Sequence, residues 1–250
     1  MNNPVSPMAA SMPAPEPRRG GASALAALLI VDALLAFAPV AILGPAIGWP
    51  ASLGRPAAEQ LAAIAAKPDA VAIGYGVYLL YSLLIAPAMI GLAAQVLGGL
   101  QRPLAATVAA FAALSTLARA IGILRWLTVM PSLAASHAGA GAGALASIES
   151  LFDALTAYGG GIGELLGVSL FMAASVGTLS VAALLRGGMP RSLAGGGVVV
   201  ALMLIALAAP AFRLPLLIPV AAAVTALTLW MLAVGVWVAL PRASNGLQPR

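Results

Sequence analysis

Cysteine is absent from the 250 residues, histidine and lysine each occur once, as His137 and Lys67, and only 8% of the chain is charged. The missing cysteines exclude a disulfide framework, a thiolate nucleophile and a thiolate metal site. One imidazole makes no histidine metal cluster, and a Ser-His nucleophile would have to be built from His137, which sits in a Gly/Ala run. Gly167-Val168-Ser169-Leu170 places its serine in an apolar helix, where a hydroxyl more often bonds its own backbone than attacks a substrate. Glu149 and Asp153 stand four apart on one helical face, both toward water, and assemble no acid/base pair. The glycine strings at 159–163 and 195–197 lack the Gly-Lys-Ser/Thr of a phosphate loop. No enzyme, metal or cofactor is expected. The formal charge of +5 comes from arginines scattered among loops without interleaved aromatics, so nucleic acid is not an expected partner.

What the chain has in abundance is hydrocarbon. Hydrophobic residues make up 62% of it and the mean hydropathy is +1.05, far beyond a soluble domain, in which about half the residues are apolar. The apolar residues fall into six runs, 22–43, 71–97, 104–130, 159–185, 193–211 and 216–240. At about 1.5 Å per residue, about 20 residues cross a hydrocarbon core of about 30 Å, and each run is near or above that length. The expected fold is all-α, a polytopic transmembrane bundle of six spans. One membrane domain, 22–240, is flanked by a proline-rich disordered tail, 1–21, and a short tail, 241–250. The lipid bilayer is the first partner, and a membrane-protein partner or self-association is the other class left open.

Arg18 and Arg19 precede the first run and suggest a signal peptide, but a signal's apolar region is about 7–15 residues and this run is longer. It is read as a retained span. Placing the amino terminus inside puts Arg18, Arg19, Arg102, Arg186, Arg191, Arg242 and Arg250 on inner segments and Arg55, Lys67 and Arg213 outside. By the positive-inside rule both termini are cytoplasmic, in a cell inner membrane. The acidic Glu59, Asp69, Glu149 and Asp153 then lie outside. The inner connections are tight Gly/Pro/Arg turns, whereas the outer side carries two amphipathic stretches, 56–66 and 147–157, read as helices resting on the membrane interface.

Charges within the spans are the clearest functional signal, because they are costly in hydrocarbon and face the bundle interior. Asp32 lies near the midplane of the first run. Arg119 lies about 22 Å from the inner surface in the third, and Glu164, on the antiparallel fourth, sits about 7 Å below the outer surface. The two therefore share a depth and can pair, with Arg125, Tyr75 and Tyr158 near the same level. Asp32, Arg119, Arg125 and Glu164 are the candidate ligand or ion-pair residues. They read either as a structural ion pair that fixes helix register or as a site touching a ligand, ion or lipid headgroup. Gly159, Gly163 and Gly167 recur every four residues, a spacing for close helix packing. Pro39, Pro87 and Pro219 are candidate kinks in spans one, two and six.

Arg119-Ala120-Ile121-Gly122, the acidic segment leading to Tyr158-Gly159-Gly160 and Gly163-Glu164-Leu165-Leu166-Gly167, and Met189-Pro190-Arg191-Ser192-Leu193-Ala194-Gly195 resemble a six-helix bacterial integral membrane family of unknown function, the domain-of-unknown-function 4386 type. The resemblance covers about 21–240. In that family the arginine of span three is commonly followed three residues later by Glu, where this chain has Gly122. The resemblance implies a six-span inner-membrane fold and assigns no activity. Two functional classes follow from the residues. One is a non-catalytic membrane component, such as a sensor, accessory subunit or lipid-binding scaffold, suggested by short loops. The other is a small transporter or channel using an outward-facing polar cluster on spans one, three and four, although no inverted repeat relates the halves.

Overall fold

Long apolar runs fold as helices wherever lipid or protein denies their backbone water, because only intrahelical bonds then satisfy every N–H and C=O. The computed structural model describes residues 19–215 and 218–241, and these are helical with no strand among them. Of the tail 1–21 expected to be disordered, residues 1–18 lie outside the described residues and 19–21 instead begin the first helix; 216, 217 and nearly all of the carboxyl-terminal tail also lie outside.

Six helices form a closed ring in which each packs on its neighbours in the chain. They are α1 (Arg19–Leu35), α4 (Pro68–Leu97), α5 (Pro103–Leu127), α8 (Met172–Arg186), α9 (Arg191–Ala206) and α10 (Val220–Ala239), which returns to α1. The connections after α4 and α8 are tight turns that place their glycines in the left-handed region, Gly98 at φ 82° and Gly188 at φ 93°. Both turns lie at one end of the ring, where a side chain on Gly188 would strike the carbonyl of Val96. At the opposite end stand α2 (Ala38–Ile47), α3 (Ala57–Ala66), α6 (Val129–Ala138) and α7 (Ala142–Gly160).

Five helical stretches are long and apolar enough to cross a membrane, Gly21–Ile47, Pro68–Leu97, Pro103–Ala138, Ala142–Arg186 and Val220–Ala239. The run at 193–211 differs from the expected sixth span. Its helix, α9, has 16 residues and covers about 24 Å, because the chain turns at Leu207 and enters a 3-10 turn around Pro210, which has no N–H to continue the ladder. The prolines also behave in three ways. Pro39 follows a two-residue break between α1 and α2, Pro87 lies within the 30-residue α4, and Pro219 precedes α10 and kinks nothing.

The two stretches read as interfacial helices are helical and each packs one side against the protein. Leu61 and Ile64 of α3 are buried against α6 and α7. The 147–157 stretch belongs to α7, which runs without interruption through a π-helical segment, Gly161–Phe171, into α8. Gly161, Gly163 and Gly167 lie in that segment and weaken the preference for ordinary α turns, so the wider turn is tolerated there. The Gly/Ala run expected as a loop shrinks to three residues between α6 and α7. His137 lies in the last turn of α6, and its Nε2 lies 3.0 Å from Glu149 Oε1 on α7, so Glu149 does not simply face water.

Two cores result. The bundle core runs through the ring and includes Leu29, Ile85, Met89, Leu92, Met172, Leu179 and Leu227. The crown core joins α2, α3, α6 and α7 to the ends of α4 and α5, around Leu43, Leu61, Tyr75, Trp126, Met130 and Phe152.

Candidate functional site

Residues three apart on a helix advance about 300°, so Tyr75, Tyr78 and Tyr81 form a slowly turning stripe on one side of α4. Their rings stack, Tyr75 on Tyr78 at 6.5 Å between centroids and Tyr78 on Tyr81 at 5.9 Å. Trp126 of α5 continues the stack onto Tyr75 at 4.8 Å, with planes 2° apart, and Phe152 of α7 meets Trp126 edge-on at 6.1 Å. From the α2–α3 connection Trp49 approaches Tyr78 edge-on at 5.8 Å. Offset and edge contacts of this kind are each worth about 0.5–1.5 kcal/mol beyond their buried area, so the ladder holds crown and bundle together.

Beside the ladder is a cleft of about 440 Å³, its open mouth included. Trp49 and Leu53, Tyr75 and Tyr78 of α4, Arg119, Gly122, Arg125 and Trp126 of α5, and Gly159, Gly163, Glu164 and Val168 on the opposing helix supply its walls. The glycines every four residues explain how two arginines reach it. Gly163 meets Gly122 where α5 crosses the π-helical segment, and a Cβ on Gly122 would lie 2.7 Å from the Gly163 Cα. One turn to either side, Gly159 lies under the Arg125 guanidinium, and a Cβ on Gly167 would lie 2.8 Å from Arg119 Cγ. The stripe is therefore for packing, as its spacing predicts, but what packs in two of its three places is a charged side chain. Gly122, where the resemblance leads one to look for Glu, has no room for any side chain.

Arg119 is 3% exposed. Its Nη1 donates to Tyr81 Oη at 3.3 Å, its guanidinium carbon lies 5.3 Å from the Tyr81 ring centroid, and its Nε has no acceptor among the described residues. Arg125 lies over Trp126 at 5.4 Å, and its Nε is likewise buried without an acceptor. The Tyr75 hydroxyl is a third buried group without a partner. Glu164 is exposed and lines the same cleft.

Arg119 and Glu164 line one cleft from adjacent antiparallel helices, but they form no ion pair. Among the described residues the one ion pair is His137 with Glu149. Arg119 is level with Gly167 and Arg125 with Gly159, which puts Glu164 between them, within the field of Arg125. Asp32 is fully buried in α1 and feels the charge of Arg119, yet it lines no part of the cleft and neither of its oxygens has a hydrogen-bond partner among the described residues. Tyr158, placed at the same level by sequence, is 72% exposed and does not line the cleft. Sequence reasoning missed Trp49, Tyr78, Tyr81 and Trp126. A signal was present, since three of only four tyrosines fall within seven residues.

The ring, the glycine crossing and the arginine on span three are what a family comparison has to explain. The model of the family described as Domain of unknown function (DUF4386) matches residues 25–235. The chain belongs to that family. The DUF4386 match takes in all six ring helices in whole or part and every residue named in the cleft, and it bears out the resemblance read from the motifs. No curated protein and no solved structure matches the chain. The description of DUF4386 assigns no activity, so the functional reading has to come from the cleft.

Proposed function

We propose that the protein is a six-span component of the cell inner membrane, with both termini cytoplasmic, that works by binding rather than by catalysis, as a sensor, accessory subunit or lipid-binding scaffold. The observation that carries the binding role is Arg119, a guanidinium buried within the bundle, lining a cleft, with a donor left unpartnered. Intramembrane charge of this kind faces function more often than lipid. Support for a sixth span comes from the ring, where α9 stands between α8 and α10 despite its 16 residues. Support for the orientation comes from the excess of arginine at the end bearing the tight turns. The crown and the mouth of the cleft then face outward. Reporter fusions at the carboxyl terminus and at Gly188 read cytoplasmic and one at Gly141 reads external; an external carboxyl terminus breaks this arrangement.

A second reading, a small transporter or channel, is favoured by one observation, the buried Asp32 carboxyl within the field of Arg119. The two readings part at conservative substitutions. In complementation of a deletion strain, a binding component tolerates Asp32→Asn and loses function with Arg119→Lys. If Asp32→Asn folds normally and abolishes complementation, the transporter reading replaces the binding one.

A further inference from the structure

We infer that the cleft takes an oxyanion, a carboxylate or phosphate group, seated at Arg119. The inference deepens the binding role proposed above and rests on it. Its basis is an imbalance of donors over acceptors. Arg119 Nε and Tyr75 Oη are buried without partners in residues 3% and 2% exposed, and Arg125 Nε is a third donor without an acceptor. Against them the one carboxylate lining the cleft is Glu164, exposed and already within the field of Arg125.

A buried donor without an acceptor is costly, more so when charged, and an oxyanion is the group that removes that deficit at a guanidinium. Arg119 is poised for this because Nη1 is turned to Tyr81, which leaves the Nε edge of the guanidinium free for side-on recognition of two oxygens. An aromatic wall can also form a cage for an organic cation. Its faces are occupied, however. Guanidinium groups lie over Tyr81 and Trp126, and Tyr75 is stacked on Trp126. The shared chemistry is that of an acidic lipid headgroup and of a free organic anion.

The test uses the full chain purified in a neutral detergent, with the fluorescence of Trp49 and Trp126 at the cleft as the readout. The probes form a matched series, hexyl phosphate and hexanoate against hexanol and hexyltrimethylammonium, with inorganic phosphate as the free anion. The expected result is a saturable change with hexyl phosphate or hexanoate and none with hexanol. Arg119→Lys, which keeps the charge and loses the fork, weakens binding about tenfold. Tyr81→Phe, which keeps the ring and its stacking and removes the hydroxyl that holds Arg119 Nη1, weakens it to a lesser extent, and it decides the matter if the Arg119 variant does not fold. Saturation by inorganic phosphate identifies a soluble anion. A silent inorganic phosphate, together with a higher unfolding temperature in phosphatidylcholine nanodiscs containing phosphatidic acid than in phosphatidylcholine alone, identifies a lipid headgroup. Saturation by hexyltrimethylammonium alone overturns the oxyanion and leaves a binding cleft standing. Binding by no probe overturns both, and anion binding that is unchanged in both variants puts the anion elsewhere and overturns the assignment.

Discussion

The bundle core and the crown core are built from different materials. In the bundle, Ala, Gly, Leu, Val and Met pack along helices that approach closely, and side-chain donors from one helix bond carbonyls of another: Ser115 to Gly167 at 2.8 Å, Ser175 to Val108 at 3.0 Å, Ser169 to Leu204 at 2.5 Å, and Trp230 Nε1 to Leu193 at 2.8 Å. In lipid there is no hydrophobic drive between apolar helices, so close packing and such bonds hold them together. The crown instead places large rings between short helices. With ten residues each, α3 and α6 are below the length at which a helix is stable alone, and burial of Leu61, Ile64, Met130 and Leu133 holds them. A surface built on rings leaves gaps that small residues do not, and the cleft lies where the two kinds of packing meet.

Trp126→Ala offers the largest test of this division. It removes the ring that joins Tyr75 to Phe152 and costs about 3–5 kcal/mol, the range for emptying an aromatic site. Amide exchange should rise in α3, α6 and α7 while α8 and α9 keep their protection. Equal loss in both regions would show one cooperative unit. Gly122→Val comes next, at about 1–3 kcal/mol for overpacking, because the new atoms meet the Gly163 backbone rather than a movable side chain. It should lower the folded yield in detergent and the unfolding temperature of the whole bundle. If only the crown loosens, the crossing does not belong to the bundle.

The charged residues sharpen the boundary further. A double-mutant cycle on unfolding free energy between Arg125→Gln and Glu164→Gln should give a coupling of up to about 1 kcal/mol, as for exposed charges, whereas Arg119→Lys with Glu164→Gln should be additive. Coupling at Arg119 and none at Arg125 would reverse the register argued from Gly159 and Gly167. The smallest effect is expected at Ser115→Ala, about 0.6 kcal/mol for one hydroxyl bond between helices, seen as a small fall in unfolding temperature without change in ligand response.

By itself the sequence determined that the chain is a helical membrane protein, because run length against bilayer thickness is a local property that needs no partner. It also determined that the glycines at 159, 163 and 167 face a neighbour, since small residues four apart let a second backbone approach. Tertiary structure decided the rest. Where Arg119 and Arg125 stand against Glu164 depends on the register at which Gly122 meets Gly163. The stretches 56–66 and 147–157 are amphipathic whether their apolar side meets lipid or protein, so only the assembled crown shows that it meets Trp126 and Met130. The π-helical turns are invisible to an apolar period of 3.6, and Trp49 comes to Tyr78 from another part of the chain. Rise and hydropathy belong to single segments, while a cleft belongs to the angles and offsets between them, which no segment carries alone.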